Sequence, residues 1–270
     1  MPSSEPKKIV YANHVAFDWG LTISPDPRYK LFPEIAELLS KIFKESYDVS
    51  ISPKEIEKMF FEVDNQNKIS WGIGVTHFNQ EEMIIAELLE KLGMPYNEIA
   101  INAPLVLSLY RKKLKKFYSQ LPWNQQVKDL LQFLKSKGFF ISIFSNERKH
   151  TIRATLEWSG LAEFFDYIAT SQEYEVQKPD VKAMQKFLEK TGFRPEETVY
   201  VGDDTIRDVK WAKLCGVKAI LVIPPEEFSP KDRRNAWRET EIEEEPDAII
   251  QNLSELKNIL KKIGDLGGCI

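Results

Sequence analysis

The chain has 270 residues, 37 Lys+Arg against 41 Asp+Glu for a net charge of −4, and 43% apolar residues. That length supports one large or two modest domains with a true core, and the near-balanced charge speaks against general polyanion binding, so no nucleic-acid partner is expected. Two cysteines and three scattered histidines (His14, His77, His150) make neither a disulfide framework nor a Cys/His zinc site.

The amino end lacks the apolar run of a secretory signal, and no stretch approaches the ~18 apolar residues of a membrane helix. In the ending GGCI the cysteine stands second from last, unlike a prenylation box. A cytoplasmic protein with no membrane partner is expected. The first predicted strand is HVAF, residues 14–17. Residues 26–118 are rich in helix formers, and apolar spacing over 34–43, 53–63, 80–92 and 103–116 predicts four helices. An insertion that large between two strands predicts a separate helical lobe, with connections near 24–28 and 118–123. Within it, residues 65–78, with Trp71, Gly72, Gly74 and His77, read as a loop, and RKKLKK, residues 111–116, as a solvated helix face.

Beyond the lobe, short apolar runs at 139–144, 167–170, 198–202, 218–223 and 248–250 alternate with amphipathic stretches at 125–137, 149–159, 180–191, 206–215 and 253–262. Residues 224–246, polar and proline-flanked, read as a long surface loop. The alternation predicts an α/β fold: a Rossmann-like parallel sheet core flanked by helices, formed by residues 1–25 and 119–270, with the all-helical domain 26–118 inserted.

Open α/β sheets bind ligands outside the carboxyl ends of their strands. The residues placed there are Asp18 and Thr22 after the first strand, Ser145 and Asn146 after the second, Lys178 in a loop before a helix, and Asp203, Asp204 and Asp208 after the fourth. Clustered carboxylates repel unless a cation compensates, and oxygen-only ligands favour magnesium. A carboxylate nucleophile, hydroxyl and amide donors, an ammonium and metal-binding carboxylates together suit phosphoryl transfer. Taken singly, Ser145 fits a helix cap, Lys178 a solvated lysine and Asp18 a turn former.

FDWGLT, FSN, QKPD and VGDDTIRD occur in the order and at intervals similar to the four motifs of the haloacid dehalogenase-like hydrolase superfamily, and the helical insertion resembles that family's cap in position and kind. The resemblance implies Asp18 as the nucleophile that forms an aspartyl phosphate and Lys178 as the cation beside the transferring group. It implies Ser145, Asn146 and Thr22 as the substrate-binding set, with Thr22 ordering its loop, and Mg2+ held by Asp18, the Gly20 carbonyl and Asp203 with Asp208 in support. The substrate class it implies is a small phosphorylated metabolite, and the protein a monomer or homodimer.

One position departs from the pattern. Two residues after the nucleophile, where phosphatases of the family carry an acid/base aspartate, this chain has Gly20. Loss of acid/base help typically costs ~10²- to 10⁴-fold, least for acidic leaving groups. Either the substrate carries a good leaving group or another carboxylate, Asp204 or Asp26, stands in. The gap leaves three alternatives open: a haloacid dehalogenase-like hydrolase, a phosphonoacetaldehyde hydrolase-like enzyme using Lys54, Lys58 or Lys68 as a Schiff base, and a catalytically impaired phosphate-binding or interaction protein.

Overall fold

The structure, a computed structural model, describes residues 9–25, 27–70, 80–223 and 244–267. The chain divides into two compact units, one of Met1–Asp26 with Tyr118–Ile270, the other of Pro27–Phe117.

The first unit is built on strands β1 (Val10–Ala12), β2 (His14–Phe17), β3 (Phe140–Ser145), β4 (Tyr167–Thr170), β5 (Thr198–Gly202), β6 (Lys218–Val222), β7 (Ala248–Ile250) and β8 (Leu260–Lys262). Six of them form one sheet in the order β4-β3-β2-β5-β6-β7, every neighbouring pair parallel. From β2 the chain steps outward through β3 and β4, then returns to β2's other side and steps outward through β5, β6 and β7. Its direction of travel reverses at β2, so a crevice opens at the carboxyl ends of β2 and β5. Both strands are buried along their whole length, as the covered centre of a parallel sheet requires, which is why they read as mainly apolar runs.

Helices cover the sheet. In α5 (Trp123–Ser136) the buried residues are Val127, Leu130, Leu131 and Leu134, the spacing legible in the sequence. Next come α6 (Lys149–Ser159), the single turn α7 (Ser171–Tyr174) and α8 (Val181–Thr191). The first turn of α8 is capped by Asp180, whose carboxylate accepts the Lys182 N–H, and its end is set by Gly192 at φ 75°. Phe187 of α8 packs with Phe144, Tyr200 and Trp211 in one core cluster, each ring contributing roughly 2–3 kcal/mol by leaving water.

In this unit two of the predicted helices take another form. The stretch 206–215 opens as a π-helix, Thr205–Lys210, before α9 (Trp211–Leu214), because the Asp208 and Val209 N–H groups both return to the Asp204 carbonyl. The stretch 253–262 is a 3₁₀ turn, Leu253–Glu255, and a short helix, Leu256–Ile259, after which β8 pairs in parallel with β1. That long-range pairing satisfies the main chain of buried Val10 and Ala12, which a continued helix would leave without a strand partner.

The second unit contains α1 (Arg28–Tyr47), α2 (Pro53–Ser70), α3 (Gln80–Lys91) and most of α4 (Tyr96–Gln120), around a core that includes Phe32, Leu39, Phe43, Ile56, Phe60 and Leu88. Both α1 and α4 start earlier than their apolar spacing predicts and run through Pro33 and Pro104. Burial of Leu31 and Phe32 in one and Ile99 and Ala103 in the other offsets the lost hydrogen bonds. The loop expected over 65–78 is helical as far as Ser70; Trp71, Gly72, Gly74 and His77 lie outside the described residues, as do 224–243 of the expected surface loop. RKKLKK is a solvated face with Leu114 turned inward. No helix among the described residues is long and apolar enough to cross a membrane.

Candidate active site

Asp18 is the first residue beyond β2, and its N–H continues the ladder to the Val201 carbonyl at 2.9 Å, so the ends of β2 and β5 stay side by side. The chain then turns sharply. The Ile23 and Ser24 N–H groups both return to the Trp19 carbonyl, the Leu21 N–H donates to Ser24, and Leu21 takes the left-handed conformation at φ 58°. These main-chain hydrogen bonds are joined by the Trp123 indole donating to the Ile23 carbonyl at 2.9 Å and the Ser24 hydroxyl paired with that of Tyr118 at 2.8 Å. The Thr22 hydroxyl is buried and meets no hydrogen-bond partner among the described residues, so it adds no hydrogen bond to the turn.

The Lys178 side chain, 4% exposed, enters this crevice, and its Nζ lies 2.7 Å from Asp18 Oδ1, 2.6 Å from Asp208 Oδ1 and 2.9 Å from the Tyr200 hydroxyl. Burial pushes its pKa down, but the charges of Asp18 and Asp208 outweigh that and raise it well above its ordinary value, fixing it as an ammonium. Its main chain is held just as firmly. The Asn146 carboxamide accepts the Lys178 N–H at 2.9 Å and donates to the Lys178 carbonyl at 3.0 Å. Two residues on, the Trp211 indole donates to the Asp180 carbonyl at 2.8 Å. Asn146, expected among the substrate-binding residues, thus has both ends of its side chain on the lysine loop.

Asp18, Asp203 and Asp208 each offer a carboxylate oxygen within 4.8 Å of the others'. An all-oxygen set at this separation fits a hard divalent cation. Both oxygens of Asp208 are engaged, Oδ1 by Lys178 and Oδ2 by the Asp204 N–H at 3.0 Å, whereas Asp203 is half-exposed. Burial pushes the Asp208 carboxyl up to about 6, Lys178 pulling the other way and Asp18 and Asp204 adding to the rise. Asp204 is spent differently: Oδ1 caps the turn by accepting the Ile206 and Arg207 N–H groups, and Oδ2 takes the Arg207 guanidinium. Burial raises its pKa, but Arg207's charge and these hydrogen bonds outweigh it and hold the carboxyl below its ordinary range. Held ionised with both oxygens engaged, Asp204 is not favoured as a stand-in for the acid missing at Gly20; Asp26 lies outside the described residues.

Ser145, the last residue of β3, is buried, and its Oγ accepts the Glu147 N–H at 3.2 Å. The structure therefore brings Asp18, Lys178, Asn146, Asp203 and Asp208 into one linked cluster. Tyr200 belongs to the cluster as well, and the sequence does carry a signal for it: a tyrosine inside an otherwise aliphatic strand needs a buried partner for its hydroxyl. Of the lysines considered for a Schiff base, Lys54 and Lys58 are exposed on α2, Lys58 facing Glu62 one turn on, and the Lys68 side chain lies outside the described residues.

Comparison with known proteins gives this arrangement its context. The model of the haloacid dehalogenase-like hydrolase family matches residues 80–222, more than half of the chain. The pyrophosphatase PpaX of Bacillus mycoides is 30% identical over 220 residues, covering 73% of this chain and 98% of that protein. The chain therefore belongs to the haloacid dehalogenase-like hydrolases. It is an enzyme of that hydrolase class. A glyceraldehyde 3-phosphate phosphatase of Methanocaldococcus jannaschii is 28% identical over 142 residues, 53% of this chain and 58% of its own length. Among solved structures, a HAD-hydrolase YfnB from Bacillus subtilis bound to magnesium superposes with a TM-score of 0.62 at 22% identity, covering 92% of this chain and 98% of that one. The L-2-haloacid dehalogenase of Xanthobacter autotrophicus gives 0.61 at 19% identity over 96% and 100%. At these identities the structural likeness carries the fold alone.

Proposed function

We propose that the protein is a magnesium-dependent phosphatase of small phosphorylated metabolites that works through an aspartyl phosphate on Asp18. The observation that carries this reading is Lys178 lying 2.7 Å from Asp18 at the carboxyl end of the central strand, with Asp203 and Asp208 within ligand-sharing distance. Relatives described as a pyrophosphatase, PpaX, and as a glyceraldehyde 3-phosphate phosphatase support it.

The carboxylates of Asp18, Asp203 and Asp208 fit a magnesium ion; Asp18, Asp203 and, by the family resemblance, the Gly20 carbonyl would hold it, with Asp208 in support. When bound, the ion would screen the approach of an anionic phosphoryl group to a carboxylate. Lys178 ties one oxygen of Asp18 in place, so the carboxylate presents its other oxygen to phosphorus in a single orientation. Ser145, whose oxygen already accepts an N–H, has its own proton to give to a phosphoryl oxygen. The metal-binding set favours phosphoryl transfer over dehalogenation, and the exposed positions of Lys54 and Lys58 do not favour Schiff-base chemistry at either residue.

The test is a panel of acyl, aryl and alkyl phosphates assayed with metal-stripped protein before and after magnesium is restored, alongside Asp18→Asn. Turnover that needs both magnesium and Asp18 is expected. A panel on which parent and Asp18→Asn are equally inert would leave phosphate binding without catalysis as the better reading.

A further inference from the structure

An ammonium has three protons to donate and no lone pair. At Lys178 all three have acceptors inside the protein: Asp18 Oδ1, Asp208 Oδ1 and the Tyr200 hydroxyl. The first two are charged and sit in the carboxylate cluster; the third is neutral and comes from the middle of β5. Tyr200 has no latitude of its own. Its ring is 1% exposed, stands edge-on to Trp211 with centroids 5.2 Å apart, and its hydroxyl donates to the Phe144 carbonyl at 2.6 Å. With its proton committed to that carbonyl, the phenolic oxygen presents a lone pair to Lys178. The main chain of β3 thus fixes the phenol, and the phenol fixes the rotation of the ammonium about its last carbon–nitrogen bond.

We propose that Tyr200 is a positioning residue, whose hydroxyl orients the Lys178 ammonium so that its other two protons point at Asp18 and Asp208. This deepens the phosphatase reading and rests on it for its catalytic consequence. Lys178 then works as a fixed strut: it sets the orientation of the nucleophile, and its charge acts on the transferring group through space. Without the phenolic oxygen one ammonium proton loses its acceptor, and the group can turn among its partners.

Tyr200→Phe removes one oxygen and keeps the ring. In parent protein carrying 15N-labelled lysine, a protected ammonium resonance is expected at neutral pH with a nuclear Overhauser contact to the Tyr200 ring, and it should vanish in Lys178→Arg, which assigns it. In Tyr200→Phe, shown to be folded by circular dichroism, the resonance should be lost to rapid proton exchange, with kcat down about 10-fold and KM within about twofold of the parent. A purely packing role would lower the melting temperature and leave both the resonance and kcat per folded molecule intact, and that result overturns the proposal. So does a parent protein with no protected ammonium, which needs no variant to fold. Absence of phosphate turnover in the parent would instead count against the phosphatase reading, and the resonance would still decide the role of Tyr200.

Discussion

Gly202 and Asp208 occupy one another's space: a Cβ added to Gly202 would stand 2.3 Å from Asp208 Oδ2 and 2.5 Å from Asp208 Cβ. The glycine ends β5 and the carboxylate rises from the π-helix six residues later, so the bare α-carbon is what lets the carboxylate reach back over the strand end to Lys178 at 2.6 Å. Gly202 does not have a left-handed φ, so an alanine there meets a steric obstacle and no backbone one. Because the obstructing atoms include Asp208 Cβ, rotation of the side chain alone is no remedy.

Gly202→Ala should therefore push Asp208 off Lys178 and leave a buried ammonium short of a partner. We expect a loss of about 2–4 kcal/mol in urea unfolding and at least about a 10-fold fall in kcat. A variant matching the parent in both would show that Asp208 has room to retreat that the distances do not allow.

Asn146 separates two roles that a sequence cannot distinguish. If it serves Lys178, as its paired hydrogen bonds at 2.9 and 3.0 Å indicate, Asn146→Ala should lower kcat roughly 10- to 100-fold with little change in KM, and cost about 1–3 kcal/mol of stability. Steady-state kinetics and thermal melts decide it. A rise in KM with kcat preserved would return Asn146 to the substrate-binding set.

The parts legible in the sequence share one physical property. Strands β2 through β7 are short apolar runs that end where the chain turns polar, so the runs marked the sheet and the polar residues just past them, Asp18, Ser145 and Asp203, marked its binding edge. What escaped depends on partners remote in the chain. Nothing within 253–262 says that its last three residues pair with Val10–Ala12, since the Leu253, Leu256, Ile259 spacing is as good for a helix. The roles of Tyr200 and Asn146 are set by hydrogen bonds to residues 22 and 32 positions away. Asp204 was legible as a carboxylate in the right loop; its capture by Arg207 was not, because an (i, i+3) pair forms only once the turn has its shape.

Gly20 offers the converse experiment, adding a group where the site lacks one. It is exposed, and an added Cβ would find no atom within 4 Å, so Gly20→Asp should change stability by no more than about 0.5 kcal/mol. With both Asp204 oxygens engaged by Ile206 and Arg207, the new carboxyl should raise turnover of alkyl phosphates, whose leaving groups need protonation, by up to about 10²-fold, and that of aryl phosphates far less. Equal effects on both series, or none on either, would mean the proton already comes from elsewhere.

His14 sets a pH dependence distant from the chemistry. It lies buried in β2 between Ser142 of β3 and Thr198 of β5, Nε2 2.5 Å from the Ser142 hydroxyl and Nδ1 3.1 Å from that of Thr198. Thr198 donates its own proton to the Arg194 carbonyl, so it accepts from Nδ1–H, and Nε2 accepts from Ser142. The neutral ring satisfies both neighbours, whereas a charged one would take from the Ser142 proton its acceptor on Nε2. Burial pushes its pKa from 6.5 down to about 3, outweighing the opposing charge of Asp166. Between those values the unfolded chain binds a proton that the folded protein refuses. Stability should therefore be at its full value above pH 6.5 and fall as the pH drops toward 3, by at most about 5 kcal/mol from this group. His14→Gln removes the titration, so a plot of unfolding free energy against pH should be flatter for the variant across that window by up to about 1.4 kcal/mol per pH unit. Parallel slopes for parent and variant would show that the ring takes up its proton inside the folded sheet.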